Sequence, residues 1–137
     1  MKIIKLFSIV LFITGFQISC SAQSAKEDET TKVTNAKKVE VFYFHYTRRC
    51  ATCNAVESVS KQVVAELYGD KVIFAGYNLD EKTGEAKGKE LEVSGQTLLI
   101  VAGDKKIDIT TEGFMNARSN PERLKAVIKE KIDPLIK

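Results

Sequence analysis

The chain has no tryptophan, one histidine, two prolines and three cysteines in 137 residues. So few prolines, with only eight glycines, exclude a collagen-like or low-complexity chain. No apolar run reaches the roughly 18 residues that a spanning helix needs. The length leaves room for one domain, which excludes a multidomain enzyme. An excess of one charge is missing too: 21 Lys and Arg face 18 Asp and Glu, without a basic block of five or six residues. The aromatics fall at strand spacing rather than among lysines and arginines, so the electrostatic footprint of a nucleic-acid binder is absent. No G-x-G-x-x-G motif follows a strand-like run, and nothing suggests a flavin or nicotinamide site.

At the amino terminus Lys2 and Lys5 lead into an apolar stretch, Leu6 to Ile13, that closes at Thr14, Gly15, Phe16, Gln17, Ile18 and Ser19. A charged segment followed by a short apolar one is the layout of a secretory signal, here residues 1–22. Cleavage after Ala22 gives soluble export. Cleavage before Cys20 gives a lipid-modified cysteine and the only expected link to a membrane, although Gln17, Ile18 and Ser19 match a Leu-rich lipoprotein site poorly. The expected location is the periplasm, or a tether within the cell envelope. Loss of the two lysines lowers the formal charge of +3 by two, so the sequence pI of 8.7 says little about partners. Residues 23–38 contain one large apolar side chain, Val33, and read as a flexible linker that cannot offset its ordering entropy.

The organised part, residues 39–137, opens with Val39, Glu40, Val41, Phe42, Tyr43, Phe44, His45 and Tyr46, a β-branched and aromatic run apolar on both faces, which predicts an interior strand. After Cys50 and Cys53, the residues Val56, Val59, Val63 and Leu67 recur at helical spacing up to Gly69. A strand over Lys71 to Asn78 follows, then a helix from Glu81 to Glu92 weakened by Gly84 and Gly88. Thr97 to Ala102 predicts a strand, Gly103 and Asp104 a turn, and Lys106 to Thr111 its antiparallel partner. A last helix starts at Ser119 or Asn120 with Pro121 in its first turn, and buries Leu124, Val127, Ile128, Ile132 and Leu135. The order βαβαββα predicts an α/β fold, a four-stranded mixed sheet flanked by helices in three layers.

Over Val39 to Ile132 these residues resemble the thioredoxin-like family, through C-x-x-C at the start of the first helix and Gly95, Gln96, Thr97, Leu98 leading into the third strand. The piece from Tyr43 to Cys53 is similar to a small exported bacterial group called nitrophenyl compound nitroreductase subunit, ArsF type. The family resemblance implies an exchange of dithiol and disulfide with a protein partner or a small oxidised substrate, without a cofactor beyond the redox-active disulfide. It also implies a groove beside the cysteines, here at Tyr46, Gln96 and Thr97. Three family features are replaced. Gln96 stands where a cis-proline is usual, and a cis bond before a non-proline costs about 2.5–4 kcal/mol, so the Gly95–Gln96 bond is expected trans, with the Gln96 amide free to reach a substrate backbone or the sulfur. Phe44 stands at the place of a buried carboxylate, and Arg49 at that of a tryptophan.

Two cysteines two residues apart in the first turn of a helix lie close enough to bridge, and the helix amino terminus favours a thiolate on the first. Arg48 and Arg49 add positive charge beside Cys50. Cys50 is thus the expected nucleophile and Cys53 the resolving thiol, with Glu57 as a candidate base or, more simply, a salt-bridged surface residue. A strongly stabilised thiolate makes such a pair an oxidant, whereas a dedicated reducing partner at the membrane drives it the other way, so the direction stays open. Two other readings stay open. Cys50, Cys53 and His45 could hold a soft metal or a trivalent metalloid, for which the missing proline leaves room; or the domain is a non-catalytic subunit of a larger reductase. His45 by itself reads as a satisfied strand residue, and Tyr43 as a packing residue.

Overall fold

The computed structural model describes residues 38–136. The signal, cleavage and lipid expectations for residues 1–22, and nearly all of the linker, lie outside the described residues. Among the described residues no helix is long and apolar enough to cross a membrane.

Strand β1 (Val39–His45) is the interior strand its apolar density predicts. It pairs in parallel with β2 (Val72–Asn78) and antiparallel with β3 (Thr97–Ala102), and β3 pairs antiparallel with β4 (Lys105–Asp108), giving the order β2-β1-β3-β4. Side chains alternate across a strand. Val39, Val41 and Tyr43 therefore enter one core with Leu98, Ile100 and Ala102, while Phe42 and Phe44 enter another with Leu99 and Val101. The first core is closed by α1 (Ala51–Tyr68), α3 (Thr110–Asn116) and α4 (Pro121–Ile132), the second by α2 (Lys82–Leu91). The result is the expected three-layer α/β architecture.

Helix α1 buries Cys53, Val56, Ser60, Val63, Val64 and Tyr68. Leu67, expected on that face, is 37% exposed. Tyr68 fills the last turn of the stripe instead, its hydroxyl donating to Asp133 at 2.8 Å, so Leu67 falls on the flank. Burial and this carboxylate push the Tyr68 phenol up. A 3-10 turn (Gly69–Lys71) then delivers the chain to β2. Helix α4 is capped by Asn120, whose side chain accepts from the Arg123 N–H, with Pro121 in its first turn; Leu124, Val127, Ile128 and Ile132 are buried, and Leu135, beyond the helix, only partly.

The carboxyl-terminal half departs from expectation at one element. The partner strand of β3 stops at Asp108 rather than Thr111, and α3 begins at Thr110. The Asp108 carboxylate accepts from the Thr110 N–H at 2.8 Å and from its hydroxyl at 2.5 Å, a turn that the β-branched Thr110 and Thr111 disguise as strand. Ile109 is buried, its N–H donating to the Leu98 carbonyl, and the Thr110 hydroxyl accepts from the Leu98 N–H. The β3–β4 turn has Gly103 at φ +61°, the left-handed position such a turn asks of glycine.

Candidate functional site

The site lies where β1 ends and α1 begins. Cys50 is the N-cap of α1 in an extended conformation, and its sulfur accepts from the Cys53 N–H at 3.1 Å, meeting one of the otherwise unpaired donors of a helix start. Cys50 and Cys53 are joined as a disulfide, with Cα atoms 5.1 Å apart. The two sulfurs are not equivalent: Cys50 is exposed, and Cys53 is 4% exposed. No acidic residue occupies the first turn of α1, so the positive end of the helix is not offset there.

The loop that carries Cys50 is pinned at its start. The Thr47 N–H donates to Asp80 Oδ2 at 2.7 Å, Asn78 Nδ2 donates to Thr47 Oγ1 at 3.0 Å, and the Leu79 N–H donates to the His45 carbonyl at 2.7 Å. The Thr47 N–H holds the Asp80 carboxyl below its ordinary range. Sequence reasoning missed this anchor. Its signal is the Asn78-Leu79-Asp80 run after β2, an Asx-type turn in which Asn78 Oδ1 accepts from the Asp80 N–H at 3.1 Å.

The two arginines before Cys50 part company. Arg48 is exposed and forms no ion pair among the described residues. Arg49, also expected to act on the sulfur, turns instead toward the sheet. It pairs with Glu57, both side chains being largely covered, and lies 5.8 Å from the centre of the Tyr43 ring. Its charge is thereby largely compensated. Glu57 is salt-bridged, as the simpler of its two readings has it, but half-buried against β1 and β2 rather than on the open surface. Tyr43 is fully buried, and burial pushes its phenol up.

His45 does not join the cysteines. Its ring lies 5.8 Å from that of Tyr43, with Nδ1 3.0 Å from the Tyr46 carbonyl, so the tautomer that satisfies this contact donates from Nδ1. Among the described residues no three His, Cys, Asp or Glu side chains gather as a metal group. The three-ligand set of His45, Cys50 and Cys53 is therefore not assembled.

On the other side of the disulfide sits the loop before β3. No peptide bond among the described residues is cis, so the Gly95–Gln96 link is trans as expected. Gln96 Oε1 comes within 3.5 Å of Cys53 Sγ, and in the dithiol form it can accept from the Cys53 thiol. Thr97 is half-buried, its hydroxyl donating to the Gly95 carbonyl at 3.0 Å. Tyr46 is exposed, with its hydroxyl 3.4 Å from the Ser94 carbonyl. It borders an open groove of about 210 Å³ with Leu79, Glu85, Lys89, Val93 and Ser94; Gln96 and Thr97 do not line this groove.

Solved structures of thioredoxins resemble this chain. Thioredoxin O2 of Arabidopsis thaliana, in its oxidized state, is 24% identical over 74% of this chain and 77% of its own, with a TM-score of 0.51. The thioredoxin of Malassezia sympodialis is 26% identical over 72% and 78%, also at 0.51. Trxlp of Edwardsiella tarda is 16% identical over 74% and 85%, at 0.50. No family model and no curated protein matches the chain. The fold is thioredoxin-like, and it carries its C-x-x-C pair as a disulfide at the entrance of α1.

Proposed function

We propose that this chain is an exported thiol–disulfide oxidoreductase whose working pair is Cys50 and Cys53. The observation that carries the reading is the asymmetry of the pair: one exposed sulfur at a helix amino terminus, bonded to one buried sulfur in the next turn. In the reducing direction the Cys50 thiolate attacks one sulfur of a substrate disulfide. The S–S electron pair leaves with the other substrate sulfur, which takes a proton from solvent. Cys53 loses its proton and attacks Cys50 Sγ, expelling the second substrate thiolate. Two electrons have then passed to the substrate, and the Cys50–Cys53 bond has formed. Oxidation of a substrate dithiol is the same sequence reversed.

In this reading the helix terminus and the exposed Arg48 stabilise the Cys50 thiolate, and Gln96 holds the Cys53 proton until the resolving step. Gln96, against Cys53, and the adjoining Thr97 form the wall against which a protein partner or a small oxidised substrate lies, while Tyr46 borders the separate groove it shares with Leu79 and α2. Release from residues 1–22, or a tether at Cys20, would put the domain in an envelope compartment where disulfides persist. The nitroreductase-subunit role of the ArsF-type group forms no part of the proposal, since no comparison supports it.

The dithiol protein, mixed with glutathione disulfide and followed by mass after acid quench, tests the reading. Cys53→Ser should accumulate a mixed disulfide on Cys50, and Cys50→Ser should exchange no faster than an unstructured thiol. Wild-type rates in Cys50→Ser would remove the proposed nucleophile.

A further inference from the structure

Arg49 directly precedes the exposed sulfur, yet its guanidinium is carried away from solvent. Four pieces of chain converge to hold it. The active-site loop supplies Arg49, α1 supplies Glu57, β1 supplies the Tyr43 ring, and β2 supplies Gly76, the register partner of Tyr43. The arginine and glutamate side chains are only 22% and 28% exposed, so each is the main compensation for the other's charge.

Gly76 makes room for this pair. A Cβ at that position would stand 2.7 Å from Glu57 Oε1. Its φ lies outside the left-handed region, so no backbone requirement calls for glycine there. A glycine inside a strand weakens it, and close approach of another group is what such a position accommodates.

Resting on the reading of Cys50–Cys53 as an exchanging pair, we propose that Glu57 is a positioning residue that sets the reduction potential of that pair by holding Arg49 in a neutral ion pair, in the space left by Gly76. A free guanidinium next to Cys50 favours its thiolate and hence the reduced form, which makes a pair more oxidising. Glu57 restrains that effect. Removing its charge releases Arg49 to act on the sulfur, whereas removing Arg49 leaves a carboxylate one turn from Cys53 and disfavours thiolates.

The test equilibrates the full chain with glutathione redox buffers and reads the dithiol-to-disulfide ratio by alkylation and mass. Glu57→Gln should shift the equilibrium constant toward the dithiol by about three- to tenfold, tenfold being about 30 mV for this two-electron couple. Arg49→Gln should shift it the opposite way, and the double variant should return to within about twofold of wild type, as a charge pair requires. Gly76→Ala changes no charge and should shift the constant in the same direction as Glu57→Gln, by less. It carries the test if Glu57→Gln does not fold. Should wild type fail to equilibrate with glutathione, the reading of the pair falls, and this proposal with it. If wild type equilibrates but the Glu57 and Arg49 variants stay within twofold of it, or shift the same way, this proposal alone is overturned. The same holds if Gly76→Ala, standing in for an unfolded Glu57→Gln, leaves the constant unchanged or shifts it toward the disulfide.

Discussion

The two faces of the sheet are held by opposite means. Toward α1, α3 and α4 the core is built from side-chain volume: Val56, Val63, Leu124, Val127, Ile128 and Ile132 come from the helices, against Val39, Val41, Leu98 and Ile100 from the strands. Toward α2 the helix contributes no buried side chain at all, because its buried residues are Gly84 and Gly88. The sheet offers Phe42, Phe44, Leu99 and Val101, covered by Leu79, Leu91 and Val93 at the ends of α2 and by Lys87 reaching over the Phe42 ring, while the α2 backbone itself comes close to Asn78 at the end of β2 through Gly84. One face should therefore fail when atoms are removed and the other when atoms are added. The Tyr46 groove lies on the second side, bordered by Glu85 and Lys89 of α2.

The largest effect expected is on the volume-packed face. Ile128→Ala empties a fully buried position and should cost about 2–5 kcal/mol in urea unfolding. On the α2 face, addition is the damaging change. An alanine Cβ at position 84 would fall 1.9 Å from the Asn78 carbonyl oxygen, which is backbone and cannot swing aside. Gly84→Ala should cost about 1–3 kcal/mol although alanine favours helix, and should speed amide exchange in α2 more than in α1. Gly88→Ala sharpens the contrast. Its Cβ meets the end of the Leu79 side chain at 3.0 Å, which can yield, and the Val93 carbonyl oxygen only at 3.4 Å, so the change should stay within about 0.5 kcal/mol of neutral once the helix-propensity gain is counted. Equal costs at 84 and 88 would contradict backbone approach as the cause.

The volume-packed face leaves two buried hydroxyls unmet among the described residues, those of Tyr43 and Ser60, and the effect expected at Ser60 is smaller. Ser60 is fully buried in α1 with no partner for its hydroxyl among the described residues. Ser60→Ala removes an unmet polar group and raises helix propensity, so it should stabilise the domain by about 0.5–1 kcal/mol. A loss of stability would mean that the hydroxyl is satisfied in solution.

What could be read from the chain follows the same division. Runs such as Val39–Phe44 and Leu124–Ile132 announce themselves because burial by side chains leaves a hydrophobic period. The Asn120-Pro121 start of α4, the C-x-x-C at the start of α1 and the trans Gln96 were equally readable, being local chemistry. Gly84 and Gly88 suggested only weakness in α2, since a period of absent side chains looks like a poor helix until the strand it meets is known. Helix α3 was hidden by Thr110 and Thr111, whose β-branching suits a strand and whose turn depends on Asp108. The division of labour between Arg48 and Arg49 could not be read from adjacent positions, because it depends on Glu57 and Gly76, brought together only by the sheet.

The smallest effect expected concerns the anchor between these regions, where Asp80, next to α2, accepts from the Thr47 N–H of the cysteine loop. That N–H holds the carboxyl below its ordinary value, so the folded group loses its proton more readily than the unfolded one. The contribution of such a group is fully present above the unfolded pKa, about 3.9, and is lost as pH falls through the lower folded value. Asp80→Asn keeps an acceptor but removes the titration. The stability difference between wild type and Asp80→Asn should therefore be level from pH 7 to about pH 5 and shrink below about pH 4, where other carboxylates titrate equally in both proteins and cancel. Protection of the Thr47 amide should follow the same curve. If the difference stays level down to the acid transition, Thr47 is held by geometry rather than by the charge on Asp80, and the anchor would behave like the α2 face, insensitive to charge and vulnerable to displacement of its backbone.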